Sequence, residues 1–258
     1  MVRKVFLCLI TLVSLSLPGK VLAATEGQMV SLKSAHSPPF TIYRAGPASA
    51  ATGILLSPSR RGFTPAIHRW VNRLADDGYR VAVIDPYDGR VFESRRRARR
   101  AAKRFDHTVR QAESRVVLKL LKAPGRKLIT VGWGHFGGHE ALMMALADPA
   151  LVSATIIYHD SQDPVLDPHS LVRLRGAILA IFFSKPQDTA ALRSFETAMR
   201  EAGKPLYVHF YPGQVTLTDF ASASPGNTAK RLAWNETMGF IQDVQRYCRR
   251  CAGYYYPR

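Results

Sequence analysis

From residue 53 onward the chain alternates short, unbroken apolar runs with amphipathic stretches of helical period, and that rhythm restricts the fold more than any other feature. The runs are Gly53-Ile54-Leu55-Leu56, Arg80-Val81-Ala82-Val83-Ile84, Lys127 to Val131, Ala154 to Tyr158, Ala177 to Phe183 and Leu206 to Phe210. A short run apolar on both alternating faces describes a strand covered on both sides. Between the runs, Thr64 is placed to cap a helix carrying Ile67, Trp70, Val71 and Leu74 and stopping at Asp77-Gly78. Further helices are expected through Leu142, Met143 and Leu146, through Leu192, Phe195 and Met199, and from Asn227 to Tyr247. Upstream, Val30 to Lys33 and Phe40 to Tyr43 alternate apolar and polar residues, as an outer antiparallel hairpin would. Strand-then-helix alternation implies a mostly parallel, doubly wound α/β sheet flanked by helices in one domain. The site of such a sheet lies at the carboxyl ends of its strands.

The first residues are expected to be removed. Arg3 and Lys4 precede an apolar run from Val5 to Leu17, Pro18-Gly19 breaks it, and Val21-Leu22-Ala23 supplies small residues before Ala24. This is the pattern of a secretory signal peptide over residues 1–23, giving a mature domain of residues 24–258 located in the periplasm or secreted. The run is too short for a membrane span, which needs about 20 apolar residues. Cys8 lies inside the run, too early for a lipoprotein cleavage cysteine.

Net charge is +17 for the whole chain; removing Arg3, Lys4 and Lys20 from 36 basic residues leaves 33 against 19 acidic ones, about +14. A surface of this kind attracts anionic partners, such as an envelope component or a small anionic ligand. The densest patch, Arg95, Arg96, Arg99, Arg100 and Arg104, falls in a basic helical segment from about residue 92 to 121, broken near Phe105. Arg96, Arg100 and Arg104 share a helix face. No aromatic residues are interleaved to stack bases, so nucleic acid is not an expected partner. The exported cysteines, Cys248 and Cys251, are too few to close a structural zinc site and are expected to form a local disulfide. No cofactor is expected.

Four stretches resemble the dienelactone hydrolase family. Leu74 to Val81 with Asp85-Pro86-Tyr87-Asp88-Gly89-Arg90 is similar to its "LA-x-x-GY-x-V…D-LYGGR" segment. Val131 to Gly138 is similar to its nucleophile elbow, Phe195 to Leu206 to its "FE-x-x-M-x-x-AGK-x-L" segment, and Phe220-Ala221 to a "HAFAN"-like loop. The resemblance implies a single α/β-hydrolase-type domain that hydrolyses esters or lactones with a Ser or Cys nucleophile, a histidine and an acid. At the implied positions the residues differ. The elbow offers His135 or, in the other frame, Gly134. The acid position matches Pro186, with Asp188 two residues on. The histidine position matches Val215 or Thr218, and no histidine follows His209. Ser59 falls where the family has a glutamate. All three members of a triad act together, so the expectation is a triad-degenerate, non-catalytic member that binds a small anionic or aromatic ligand or an envelope partner. The alternative is an active hydrolase with an unconventional site built from His135, His159 and Asp188.

Trp133, His135, Phe136 and Ser59 are expected to line the pocket, with Arg60 and Arg61 at its mouth. The bland reading of the two aromatics is core packing. His135, His139 and His159 could gather at one sheet edge around a metal, although polar pocket lining explains them more simply, and no metal site is assigned. His209 is expected to be structural, and Asp106-His107 a helix break.

Overall fold

The computed structural model describes residues 27–35, 37–159, 171–184, 190–213, 215–217, 220 and 228–246. Residues 1–26, Asp160, Pro186, Asp188, Thr218, Ala221, Cys248 and Cys251 lie outside the described residues, and with them the stretch expected to be a signal peptide and the cysteines expected to form a disulfide.

Among the described residues eight strands form one sheet in the order β1-β2-β4-β3-β5-β6-β7-β8. These are β1 (Gln28–Ser34), β2 (Ser37–Ala45), β3 (Thr52–Ser57), β4 (Arg80–Ile84), β5 (Lys127–Trp133), β6 (Val152–His159), β7 (Ala177–Phe182) and β8 (Leu206–Phe210). The first two are the expected hairpin, and β2 continues the sheet by pairing antiparallel with β4. All the later pairings are parallel. The helices are α1 (Pro65–Asp76), α2 (Arg95–Lys103), α3 (His107–Leu121), α4 (Gly134–Ala147), α5 (Ala190–Glu201) and α6 (Thr228–Arg246).

Local chemistry explains the boundaries. The Thr64 hydroxyl accepts from the Ile67 amide and Pro65 begins α1, which ends where Gly78 takes φ 89°. The basic segment does break near Phe105, because the Asp106 carboxylate accepts from the Thr108 and Val109 amides and starts α3 afresh. The glycine-rich stretch is not a loop. β5 runs to Trp133 and α4 begins at the next residue.

Each face of the sheet carries its own core. One is rich in aromatics, with Trp70, Trp133, Tyr158, Phe183, Phe220 and Trp234 packed between the sheet and α1 and α6. Trp70 meets the rings of Trp133, Tyr158 and Phe220 edge-on at 5.4 to 5.8 Å, a geometry that adds about 0.5–1.5 kcal/mol per pair beyond burial. The other is mostly aliphatic, with Val117, Leu118, Leu142, Met144, Ile178 and Met199 contributed by β7, α3, α4 and α5. α4 is therefore clamped between the sheet and α3, which fixes the residues of its first two turns.

Candidate functional site

The β5–α4 junction is a strand-to-helix elbow with no intervening residue. Gly134 holds φ 68° there, a left-handed backbone that side chains rarely adopt. A Cβ on Gly132 would sit 1.9 Å from the Gly137 carbonyl oxygen, so strand and helix approach too closely for any side chain at 132. The left-handed position of the turn thus falls on Gly134, and His135 is the following, solvent-exposed residue.

His159 closes β6 beside this turn, with only 4% of its surface exposed. Its ring stacks on Phe182 at 4.6 Å, and neither ring nitrogen has a hydrogen-bond partner among the described residues. Burial, helped by the nearby His135, pushes its pKa down to about 4, so the imidazole is neutral at physiological pH. His135 and His159 are thus brought into each other's field, while Asp188 lies outside the described residues.

The other expected site residues take varied places. Trp133 is 4% exposed and stacks on Tyr158 and Phe183 at 5.1 and 5.5 Å, which makes it core rather than an open pocket wall. The Ser59 hydroxyl accepts from the Arg61 amide in its own turn, and the Arg61 carbonyl accepts from the Phe92 amide, tying this loop to the one after β4. Val215, a match for the family's histidine, is buried in the aromatic core. Among the described residues, the hollow lined by Ala145, Val152 and Leu174 and the one along α5 do not include Ser59, Trp133, His135 or Phe136. Arg95, Arg96, Arg99, Arg100 and Arg104 are exposed, and Ala98 is the buried residue of α2. His209 pairs with Glu236 at 3.2 Å, joining β8 to α6 as a structural residue.

A group of polar residues that the sequence reading did not assemble lies between α3 and α4. Phe136 leads to it, meeting Phe105 edge-on at 5.1 Å. His107 Nδ1 stands 2.6 Å from Glu140 Oε1, with the imidazole side chain 47% exposed and the carboxylate 2%. The His139 ring is 5.3 Å from that of His107. Burial raises the pKa of Glu140, partly offset by His107 and Arg110. Arg110 is itself buried; it pairs with Glu113 at 3.0 Å and donates to the Asp85 carbonyl at 3.2 Å. Tyr87 completes the group, its hydroxyl pushed up to about 12, chiefly by burial. His107 was correctly expected at a helix break, but its partner is 33 residues away in sequence. The available signal was Glu140 itself, a carboxylate on a helix flanked by Ala141, Leu142, Met144 and Ala145; an acid in such company is buried and needs a partner.

The strand order, the parallel core of the sheet and the elbow between β5 and α4 define an α/β-hydrolase-fold protein. Residues 40–245 match the model of the dienelactone hydrolase family, and the chain belongs to that family. Among solved structures, a dienelactone hydrolase-like promiscuous phosphotriesterase from metagenomic libraries superposes with TM-score 0.70 at 16% identity, covering 86% of this chain and 99% of that one. A candidate dienelactone hydrolase from Klebsiella pneumoniae gives 0.68 at 16% identity, covering 87% of this chain and all of that one. The larger acylaminoacyl peptidase of Pyrococcus horikoshii gives 0.61 at 14% identity over 91% of this chain and 44% of its own. Identities this low speak for the fold alone. No curated protein matches the chain in sequence. Among the described residues no helix is long and apolar enough to cross a membrane.

Proposed function

We propose that this chain is an exported, non-catalytic member of its family that binds a small anionic or aromatic ligand or an anionic component of the cell envelope. One observation carries the reading: the left-handed position of the elbow is Gly134, which has no side chain to attack a carbonyl. Covalent acyl transfer needs a nucleophile, a base and an orienting acid in contact. Val215 supplies no base, and no histidine follows His209. Arg60 and Arg61 near the elbow, and the arginines of α2, supply the positive charge an anionic partner would meet. The start of the chain supports export.

The test is a serine- and cysteine-directed activity probe on the mature protein, together with turnover of p-nitrophenyl esters and lactones. No stoichiometric labelling and no turnover above trace level are expected. Labelling of one residue per chain would overturn the reading. So would robust turnover abolished by His135→Ala, which would favour the second reading, an unconventional hydrolase. Its support is the proximity of His135 to His159. Intact mass of the extracytoplasmic protein checks cleavage after Ala23, and thiol labelling without reductant checks that Cys248 and Cys251 are oxidised.

A further inference from the structure

We propose that His107, His139 and Glu140 form a binding site for a borderline transition-metal cation, zinc above all, at the α3–α4 junction beside the elbow. The proposal is independent of whether the elbow is catalytic, since it concerns metal binding and is read without turnover.

Three observations lead to it. The ligating atoms of the three residues lie within 4.8 Å of one another. Donors around a tetrahedral zinc, with bonds of about 2.0–2.2 Å, stand roughly 3.3 Å apart, so side-chain adjustment alone brings them to that spacing. Two imidazoles and one carboxylate are a donor set that favours zinc over magnesium or calcium, which take oxygen ligands. Finally, Glu140 is over-provided with buried acceptor capacity. Oε1 meets His107, but Oε2 is buried without a hydrogen-bond partner among the described residues. A buried carboxylate oxygen without a donor costs free energy, and a cation resolves that cost.

Arg110 acts on Glu140 through its charge but directs its own bonds to Glu113 and to the Asp85 carbonyl, and Glu140 Oε2 keeps no hydrogen-bond partner among the described residues. The site is also reachable, because His107 stands half in solvent while Glu140 forms the floor. Metal entry would take a ring nitrogen of His107 and an oxygen of Glu140 as ligands in place of their mutual hydrogen bond. Three protein donors leave a fourth position, which water or a small anion would fill.

The experiment titrates chelator-treated protein with Zn2+ by calorimetry, and with Co2+ by visible absorption. One ion per chain is expected, with the intense visible bands of four-coordinate Co2+. His107→Ala and His139→Ala should each weaken binding by about 100-fold or more, while His209→Ala leaves it unchanged. His107 is half-exposed, so its variant should stay folded, as a circular dichroism melt would verify; Glu140→Gln is the more conservative probe of the third ligand. Absence of stoichiometric binding, or binding unaltered in both histidine variants, would overturn the proposal. So would binding lost only when Cys248 and Cys251 are replaced by serine.

Discussion

Two successive turns of α4 are built on opposite principles. Gly134 to Gly138 in the first turn are shaped by backbone sterics: Gly134 by its positive φ, and Gly137 and Gly138 by close approach to the β3 end and to Ile157. The second turn places His139 and Glu140 against α3, where the chemistry of the side chains decides the arrangement. A steric turn is self-consistent with no reactive group upon it. A buried carboxylate is not self-sufficient, because it must be solvated, paired or neutralised. The first turn therefore identifies the fold, whereas the second points to local chemistry of this particular chain.

The contrast breaks most sharply at the glycines. Gly132→Ala should cost about 3 kcal/mol or more, since backbone at 1.9 Å cannot yield as a side chain would. Gly134→Ala should cost only about 1–2 kcal/mol, the conformational strain of a left-handed alanine. Chemical denaturation of both variants checks the ranking, and a reversed order would mean that the turn is held by something other than the close approach at Gly132.

His159 offers the next largest effect. Its folded pKa of about 4 lies below the unfolded value near 6.5, so above pH 6.5 neither state gains a proton and stability is unaffected. As pH falls from 6.5 to 4 the unfolded chain takes up a proton that the folded chain refuses. The wild type should therefore lose on the order of 2–3 kcal/mol over that window, and His159→Leu should lose that much less. Denaturation midpoints at pH 7 and pH 4.5 for the two proteins provide the measurement.

Glu140 should respond in the opposite direction. Its folded pKa is raised by burial, so its contribution is most favourable below its unfolded value near 4.5 and declines as pH rises through the folded one. Glu140→Gln should flatten that decline and cost under about 1 kcal/mol in metal-free protein at pH 7. Glu140→Ala, which also leaves a cavity, should cost about 1–3 kcal/mol. An equal loss in both would show that the carboxylate, not the shape of the side chain, holds the α3–α4 contact.

The smallest stability change belongs to α2, where charge is exposed and unconstrained. Arg96→Ala with Arg100→Ala should alter stability by no more than about 0.5 kcal/mol, yet lower the salt concentration that elutes the protein from an anionic resin. Unchanged elution would remove this face as an anion-binding surface.

The elements were legible because their signals are local. Ile67, Trp70, Val71 and Leu74 announce α1, and all four are buried as their spacing requires. The apolar runs named six strands, and the Asp106 cap was visible as a helix break. The elbow was legible only in part: Gly132 to Gly138 gave the turn, but two frames fitted, and the positive φ of Gly134 cannot be seen in a string of glycines. The His107–Glu140 and Arg110–Asp85 contacts join residues that no local period relates. They depend on how α3 seats against α4 and the loop after β4, which is tertiary information.

The packing of α6 against the aromatic core also ties together residues far apart in the chain. Thr52, the first residue of β3, accepts a 2.6 Å hydrogen bond from Gln245 at the far end of α6. α6 also brings Ala233, Trp234, Phe240 and Ile241 to the core that β3 and β5 begin. All eight strands precede α6, so a nascent chain has its whole sheet before it gains the second of the two helices, α1 and α6, that flank the aromatic core. Until then Trp70 and Trp133 lack part of their cover, and contacts of such long sequence separation are the slow ones to form.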